Sequence, residues 1–249
     1  MPGIQQRLDG TVYTAPDRAT YYFKVGAWID RTIGDQLRVI AKQFPERVAF
    51  ICEGKQISFR EIDEWSDQLG ALLLQRGLKT KDRAMFQMGT VIETVAALFA
   101  CYKTGVLPVC TIPQYRDIEI SKLAGVTTPR GYFVQADFDP KFDLAAFAKR
   151  MAGECAIPHV FVARAGAGDD PWQAARSIPL ADARKVLGAI QIGSEDVCAM
   201  QLSGGSTGVP KVIPRHHAEY LGHAYHWSEK LGMTPDDIGL WALPILHNA

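Results

Sequence analysis

The chain has 249 residues, of which 47% are hydrophobic, 10% aromatic and 22% charged. This composition supplies enough apolar material for a folded core and excludes disordered and collagen-like proteins. The 27 Lys and Arg residues balance the 27 Asp and Glu residues, so the net charge is zero. The overall charge therefore favours neither nucleic acid nor a membrane as a partner, and any anion is expected to bind locally.

The cysteine spacing and the lack of recognisable targeting signals predict a cytoplasmic protein. The longest apolar runs fall short of the roughly 20 residues that span a bilayer. The N-terminal sequence MPGIQQRLDG lacks the pattern of a secretory signal. The five cysteines are scattered and form no CxxC pair. An odd, scattered set argues for reduced thiols rather than a disulfide framework or a zinc site.

Three N-terminal capping boxes predict the first helices. In each box a Ser or Thr side chain accepts a hydrogen bond from the backbone three residues later, and an acidic side chain there bonds back to the cap. The pairs are Thr32 with Asp35, Ser58 with Glu61, and Thr90 with Glu93. Apolar residues at helical spacing follow each pair, which predicts three amphipathic helices.

Short apolar runs of strand length alternate with these helices. They cover residues 48–52, 84–87, 106–112, 131–135, 159–163 and 196–202. Because parallel strands need crossover connections, which are usually helical, the alternation predicts an α/β domain with a largely parallel sheet flanked by helices. The Gly-, Ala- and Asp-rich stretch 164–179 is the best candidate for a surface loop.

The segment from Ser203 to Lys211 carries the clearest chemical signal. Its sequence, SGGSTGVPK, follows an apolar run and holds three glycines, three hydroxyl side chains and a lysine. Glycine lets backbone N–H groups approach phosphate oxygens, the hydroxyls add donors, and the lysine adds a mobile positive charge. The composition therefore predicts a polyphosphate as ligand.

This segment differs from a Walker A loop, which needs GxxxxGK followed by Ser or Thr and then a helix. Val209 and Pro210 separate Gly208 from the lysine, and residues 212–214 are typical of a strand. We therefore expect a loop between two strands that folds over a phosphate. The alternative is a flexible Gly/Ser-rich surface hairpin.

SGGSTGVPK followed by VIPRHH resembles the phosphate loop of the adenylate-forming superfamily, which includes acyl-CoA synthetases, peptide-synthetase adenylation domains and luciferases. Its second glycine makes the motif most similar to the aryl-acid adenylating enzymes of siderophore pathways, which activate 2,3-dihydroxybenzoate or salicylate. EGKQISFRE and KTGVLPV match the N-terminal half of that family in order. The resemblance runs from residue 28 to the end and leaves 164–187 unmatched.

The resemblance implies a fold and a domain organisation. Residues 1–249 would form part of the large N-terminal domain of the adenylate-forming fold, an α/β structure incomplete at its C-terminal end and without the small C-terminal domain. The family's catalytic lysine, its Mg²⁺ ligand and its ribose-binding aspartate would lie beyond Ala249.

The resemblance also assigns candidate site residues. Those expected to hold the phosphates of ATP are Ser203, Gly204, Gly205, Ser206, Thr207, Gly208 and Lys211. His217 would lie near the carboxylate of the acid, His247 at the mouth of the acid pocket, and Asn248 against an ortho-hydroxyl of the ring. Ala249 stands where the family usually has an aromatic residue, which leaves the identity of the aryl acid open.

The implied reaction joins a small aromatic carboxylic acid to AMP at the expense of ATP, with Mg²⁺ bound outside this chain. The acyl group would then pass to the thiol of an aryl carrier protein or carrier domain. Two alternatives stay open at this point. One is an acid:CoA ligase of the same fold, and the other is a non-catalytic module that binds ATP and an acid.

A histidine-rich stretch offers a metal site as a further alternative. His216, Glu219, His223 and His226 would share one face of a helix, and imidazoles with a carboxylate are zinc ligands. The stretch lacks the HExxH form, so packing or exposure to solvent is the preferred interpretation.

The last residues, from Leu240 onward, are predicted to form a strand that leads into His247 and Asn248. Because members of the family continue well beyond this point, we expect an apolar patch near residues 241–245.

Overall fold

A computed structural model describes residues 3–166, 170–203 and 210–247. Its helices are α1 Pro16–Lys24, α2 Ile33–Gln43, α3 Phe59–Gln75, α4 Ile92–Thr104, α5 Asp117–Thr127, α6 Leu144–Glu154, α7 Pro171–Ala175, α8 Leu180–Gly188 and α9 His217–Lys230. Its strands are β1 Val48–Cys52, β2 Lys55–Ser58, β3 Arg83–Gln87, β4 Leu107–Val109, β5 Gly131–Gln135, β6 His159–Ala163, β7 Val197–Leu202 and β8 Val212–His216.

Six of these strands form one sheet in the order β6, β5, β3, β4, β7, β8. Neighbours are parallel from β6 through β7, and β8 runs antiparallel to β7. Helices α4, α5 and α6 connect successive parallel strands, as parallel pairing requires. The predicted α/β architecture with a largely parallel sheet is confirmed. Strands β1 and β2 form a separate antiparallel hairpin.

Each face of the sheet is covered by its own apolar core. One core includes residues of α3 and α4, and the other includes residues of α5 and α6. In the first core, Phe133 stacks between Phe86 and Phe161 on neighbouring strands, with ring centroids 4.6 and 4.7 Å apart. None of the described helices combines the length and apolar character needed to cross a membrane.

The expectation of a surface loop over residues 164–179 is wrong at its C-terminal part. Asp170 caps α7 by accepting a hydrogen bond from the backbone of Trp172 at 2.8 Å. The Trp172 side chain is fully buried, lies edge-on to Phe133 and donates to the carbonyl of Glu93 at 2.8 Å. A single tryptophan in a small-residue stretch therefore anchors the segment to the core.

Two of the three predicted N-caps, Thr32 and Ser58, are correct, and one of the three predicted capping boxes is complete. Ser58 and Glu61 exchange both hydrogen bonds, at 3.2 and 2.8 Å. Thr32 accepts from the backbone of Asp35, whose carboxylate bonds the threonine hydroxyl instead of the backbone. The third box is wrong, because the N-cap of α4 is Val91 and Thr90 bonds the C-terminal segment instead.

The predicted C-terminal strand is also absent from the described residues. After α9 the chain from Gly232 to His247 contains turns but no strand. A strand is defined by hydrogen bonds to a neighbouring strand, and none of the described strands pairs with this segment. Leu246 is nevertheless buried in the first core.

Asp196, just before β7, fastens the N-terminal segment to the sheet. Its carboxylate accepts backbone hydrogen bonds from Gln5 at 2.9 Å, from Gln6 at 2.7 Å and from Gly193 at 2.7 Å. The side chain is almost completely buried, and three donors compensate its lost hydration.

A buried ion cluster joins the four helices α2, α3, α4 and α8. Lys103 of α4 donates to Asp63 at 2.6 Å and to Asp67 at 2.8 Å, both on α3. Arg184 of α8 bonds the same two carboxylates at 3.2 and 3.0 Å, and Arg38 of α2 reaches Asp67 at 3.1 Å. We call these five residues the Lys103 cluster.

Candidate active site

The predicted phosphate loop lies between two paired strands, as the sequence predicts. Strand β7 is buried along its whole length and pairs with β8 in register from Leu202 opposite Val212. Beyond that pair, the backbone N–H of Ser203 donates to the carbonyl of Lys211, and the N–H of Lys211 donates to the Ser203 hydroxyl, both at 3.0 Å. Hydrogen bonds between Ser203 and Lys211 therefore join the two ends of the loop at its base.

The glycine-rich part of this loop lies outside the described residues. It comprises Gly204, Gly205, Ser206, Thr207 and Gly208, which stay predicted phosphate ligands. No helix follows the loop, since β8 continues directly after Lys211. The interpretation as a strand–loop–strand motif distinct from Walker A is confirmed for the flanking strands.

The loop follows the carboxyl end of β7, at the edge of the sheet where β3, β5 and β6 also end. In open parallel sheets this edge is where ligands bind. Arg164, the first residue after β6, lies at the same edge and pairs with Glu53 at 2.7 Å and Glu93 at 2.9 Å. These bonds raise its pKa and keep it charged. Sequence reasoning missed this residue, because Glu53 is 111 positions away.

His217 is the first residue of α9 and is almost fully buried, with 1% of its surface exposed. Its backbone N–H donates to the carbonyl of Asp196 at 3.3 Å. Its ring Nδ1 accepts from the backbone N–H of Ile33 at 3.2 Å. The imidazole therefore lies between the start of α9 and the start of α2.

The protonation state of His217 follows from this environment. Burial, with a smaller contribution from His216, lowers the pKa of His217 to about 3. The ring is neutral at pH 7, and because Nδ1 accepts a hydrogen bond we assign the proton to Nε2. Nε2 is buried and has no partner among the described residues. His217 thus presents a buried donor for which the described part of the chain offers no acceptor.

Two further buried polar atoms without described partners come from the strands that flank the loop. They are Oε1 of Gln201 on β7 and Nε of Arg215 on β8. The Arg215 guanidinium also pairs with Glu219 at 2.5 Å and lies 4.6 Å above the ring of Tyr220. We call the three atoms Gln201 Oε1, Arg215 Nε and His217 Nε2, which have no described partner, the unpartnered polar set. Sequence reasoning identified only His217 of the three.

The remaining predicted acid-site residues lie at the C-terminal end. His247 is exposed, and its backbone N–H donates to the carbonyl of Pro244 at 2.8 Å. Its side chain forms no hydrogen bond with a described residue. Asn248 lies outside the described residues. A shared pocket of His217, His247 and Asn248 therefore stays a prediction.

The alternative metal site on α9 finds no support in the side-chain contacts. His216 bonds the carbonyl of Glu195 at 2.9 Å, on the side facing the N-terminal segment. His226 bonds Glu229 at 3.1 Å and the carbonyl of Gly26 at 3.0 Å. Within the described ranges, no three His, Cys, Asp or Glu side chains are grouped to hold a metal ion.

The family of the chain follows from sequence comparison. The profile of the AMP-binding enzyme family matches residues 37–249, which include the loop, β8 and α9. The chain belongs to this family. Its relatives include a protein from Bacillus subtilis (strain 168) named 2,3-dihydroxybenzoate-AMP ligase, 31% identical over 94% of this chain. Another, from Mycobacterium tuberculosis, is named salicyl-AMP ligase / salicyl-S-ArCP synthetase and is 30% identical over 99% of this chain.

The solved structure of Mycobacterium smegmatis MbtA in its apo form has the same fold over this region. The two superpose with a TM-score of 0.84 at 29% sequence identity, covering 96% of this chain. The match covers 44% of the MbtA chain, and the Bacillus and M. tuberculosis relatives are covered over 42% and 44% of their lengths. The chain therefore spans less than half the length of these relatives and corresponds to their N-terminal part.

Proposed function

We propose that this chain carries the phosphate loop and part of the acid-binding region of an enzyme that joins an aryl carboxylic acid to AMP. Relatives named for ligation of 2,3-dihydroxybenzoate and salicylate to AMP support the substrate class. The observation that carries the proposal is the buried, neutral His217, whose Nε2 donor has no acceptor within residues 3–166, 170–203 and 210–247. It begins the helix that directly follows the strand after the loop.

In this proposal the loop positions ATP for attack by the acid. Ser203, Gly204, Gly205, Ser206, Thr207, Gly208 and Lys211 bind the β- and γ-phosphates. Both reactants are anions, so the protein's task is to neutralise charge and align the carboxylate with the α-phosphorus. The closed base formed by Ser203 and Lys211 supports this role, because it fixes both ends of the loop on the sheet.

His217 donates its Nε2 hydrogen to the carboxylate of the acid. A buried donor left without a partner costs about 1–3 kcal/mol, and a bound carboxylate oxygen would recover that cost. The depressed pKa keeps the ring a neutral donor throughout the physiological range. His247 and Asn248 would complete the acid pocket, with Asn248 reading an ortho-hydroxyl, as the resemblance implies.

Among the described residues no three His, Cys, Asp or Glu side chains are grouped to hold a metal ion. We assign no step to a metal ligand of this chain, and the Mg²⁺ of the reaction is proposed to bind elsewhere because the family resemblance implies it. The chain is proposed to be part of the large domain of such an enzyme. Transfer of the acyl group to a carrier-protein thiol is the proposed second step, supported by the name of the M. tuberculosis relative.

A reducing, cytoplasmic location is proposed on the basis of the thiols. All five cysteines are free, and Cys101, Cys110 and Cys198 are buried. Burial raises the pKa of each of these three thiols, which keeps them in the unreactive protonated form.

The test is ATP–pyrophosphate exchange by a polypeptide that joins residues 1–249 to the remainder of the Bacillus relative. We expect exchange with salicylate and 2,3-dihydroxybenzoate, and none with octanoate. Lys211→Ala should lower exchange roughly 10- to 150-fold, because a hydrogen bond to a charged group is worth about 1.5–3 kcal/mol. Lys230→Ala, at an exposed position on α9, is the matched control. Exchange that is unaffected by Lys211→Ala would refute the phosphate role of the loop.

Asn248→Ala in the same joined polypeptide tests the aryl assignment. Only the ortho-hydroxyl would lose its partner, so activity toward salicylate should fall while activity toward benzoate and the affinity for ATP stay nearly constant. Equal losses with benzoate and salicylate would show that Asn248 does not read the hydroxyl. Thioester formation with coenzyme A but not with a carrier protein would favour an acid:CoA ligase instead.

A further inference from the structure

The two strands that flank the phosphate loop each place a long polar side chain on the same face of the sheet. Gln201 of β7 is opposite Ile213 of β8. Because side chains alternate between the faces along a strand, Arg215 shares the face of Ile213 and is a diagonal neighbour of Gln201. Gln201 comes shortly before Ser203, and Arg215 comes shortly after Lys211. Each side chain is therefore connected through its own strand to one end of the loop.

Tyr220 on α9 contacts both of these side chains. The Arg215 guanidinium lies 4.6 Å from the centre of the Tyr220 ring, which is within the range of a cation–π contact. The side chain of Gln201 reaches the Tyr220 hydroxyl. Burial raises the pKa of Tyr220, and the hydrogen bond with Gln201 acts in the opposite direction. Tyr220 therefore connects α9 to the strands on both sides of the loop.

A second connection joins β8 to the first turn of α9. The Arg215 guanidinium pairs with Glu219 at 2.5 Å, and the two side chains are only 20% and 32% exposed. The other carboxylate oxygen of Glu219 accepts from the backbone N–H of His216, the N-cap of α9, at 3.5 Å. Because the pair is partly buried, salt screens it less than it screens an exposed pair.

His217 belongs to the same turn of α9. Tyr220 follows it by three positions, so the two side chains lie on one side of the helix. The only bond of the imidazole to a described residue is the one that Nδ1 accepts from the N–H of Ile33, at 3.2 Å. This bond keeps the ring proton on Nε2. The position of the first turn therefore decides both where the Nε2 donor lies and whether the tautomer is kept.

The rest of α9 is held independently of β8. Gly222 packs so closely on Ala27 that a Cβ at position 222 would overlap the Ala27 carbonyl oxygen. One turn later, His226 bonds the carbonyl of Gly26 at 3.0 Å. Loss of the contacts of Arg215 should therefore shift the first turn of α9 without releasing the helix.

We propose that Arg215 and Tyr220 are positioning residues that set the distance between the phosphate loop and the His217 imidazole. The acid held by His217 and the phosphates held by the loop would then be aligned by a rigid connection through β8 and α9. Such alignment matters, because a misplacement of about 1 Å can lower a rate by about 10²-fold. The inference rests on the proposed function, from which it takes both ligands.

Pyrophosphate exchange by the joined polypeptide tests the proposal. Tyr220→Phe keeps the ring beside Arg215 and removes the hydroxyl, whereas Arg215→Gln removes the guanidinium. We expect the maximal rate to fall about tenfold or more in each variant, with KM for ATP and for salicylate within about twofold, because neither side chain is proposed to contact a ligand. Arg215→Lys keeps a cation for Glu219 and should recover part of the loss.

Two matched controls come from exposed positions on the same helix. Tyr225→Phe removes a hydroxyl from a side chain that is 53% exposed, and Lys230→Gln removes a cation from the last turn. Both should leave the maximal rate and the KM values unchanged.

A measurement on the imidazole itself does not depend on the reaction. Nitrogen chemical shifts of labelled histidine, recorded on the 249-residue chain at pH 7, report which ring nitrogen carries the proton. We expect a single tautomer of His217 in the wild type and in Lys230→Gln, and a mixture in Arg215→Gln. If the wild-type joined polypeptide shows no exchange with any acid, the proposed function fails, and the histidine spectrum still decides whether Arg215 positions His217.

Three results would overturn the proposal. The first is an unchanged maximal rate in both Tyr220→Phe and Arg215→Gln. The second is a raised KM for ATP with an unchanged maximal rate, because Arg215 would then act by binding the phosphates. The third is a single, wild-type tautomer of His217 in folded Arg215→Gln.

Discussion

The Lys103 cluster and the unpartnered polar set both place polar side chains inside the protein, but they differ in how those side chains are satisfied. In the Lys103 cluster, two carboxylates meet one lysine and two arginines, and Lys103 also donates to the carbonyl of Asp63. In the unpartnered polar set, three buried atoms of Gln201, Arg215 and His217 have no described partner.

The pKa is lowered in both regions, but the resulting charge state is opposite: Asp67 stays charged and His217 becomes neutral. Burial alone would raise the pKa of Asp67, but Lys103, Arg184 and Arg38 outweigh burial and leave that pKa lowered. At His217 burial meets no compensating charge, so the pKa falls and the ring loses its proton. The charge of buried Asp67 is stabilised by neighbouring groups of opposite charge. His217 has no such neighbour among the causes of its pKa shift, so burial favours its neutral form.

The comparison shows how to distinguish a structural polar group from a candidate binding group. A buried polar atom whose bonds are complete contributes to the arrangement of the helices and has nothing left to offer a ligand. A buried donor without an acceptor is costly to the free protein and becomes favourable only when something binds. On this criterion α2, α3, α4 and α8 form scaffold, and the region of β7, β8 and α9 is the one we propose as the site.

The largest effect should come from breaking the Lys103 cluster. Lys103→Met keeps the volume but leaves two buried carboxylates without their central cation, which should cost about 3–5 kcal/mol of unfolding free energy. Chemical denaturation measures the change. Lys149→Met, at an exposed position on α6, is the control and should cost little. A loss below about 1 kcal/mol for Lys103→Met would contradict the scaffold assignment.

The pH dependence of the unfolding free energy should distinguish His217 from the Lys103 cluster. His217 has a folded pKa of about 3 against an ordinary value of 6.5. Between these values the unfolded state binds a proton that the folded state does not. Stability should therefore rise with pH across this window, by up to about 1.4 kcal/mol per pH unit from this group.

The measurement compares denaturation midpoints of the wild type and His217→Gln from pH 4 to pH 7. The variant should lose this contribution to the slope, whereas His223→Gln, at an exposed position, should keep it. An identical slope in the wild type and His217→Gln would show that His217 is not held neutral.

The smallest effect is expected for His217→Gln at pH 7. Glutamine retains an acceptor for the N–H of Ile33, and the lost Nε2–H has no described partner, so stability should change by only about 1 kcal/mol. A small change in unfolding free energy, combined with a large loss of acid binding in the joined polypeptide, would identify His217 as a site residue. A cost as large as that of Lys103→Met would instead make it scaffold.

Much of the fold could be predicted because its signals are local. The apolar runs at 48–52, 131–135 and 159–163 coincide with β1, β5 and β6. Strand β2 was missed because it is short and polar, and it forms only through a turn in which Glu53 and Gly54 adopt φ of 52° and 75°. The cap at Thr90 was wrong because a tertiary contact with Leu243 competes for its hydroxyl.

The candidate site divides in the same way. The strands that flank the loop could be predicted from a contiguous motif, and the role of His217 stays a prediction from the family resemblance. The buried atoms of Gln201 and Arg215 could not be predicted in this way. Whether they have described partners depends on the tertiary packing around β7 and β8, which the sequence does not reveal. The ion pairs of Arg164 join residues from distant parts of the chain and leave no pattern in sequence.

The anchoring of the N-terminal segment by Asp196 has a consequence for biosynthesis. The backbone N–H groups of Gln5 and Gln6 bond the carboxylate of Asp196, which lies 191 and 190 residues later in the chain. At about 5–20 residues per second, a ribosome needs about 10–40 s to deliver that carboxylate. The backbone bonds of residues 5 and 6 to Asp196 can therefore form only after about 190 further residues have been made, so this part of the fold is completed late in synthesis.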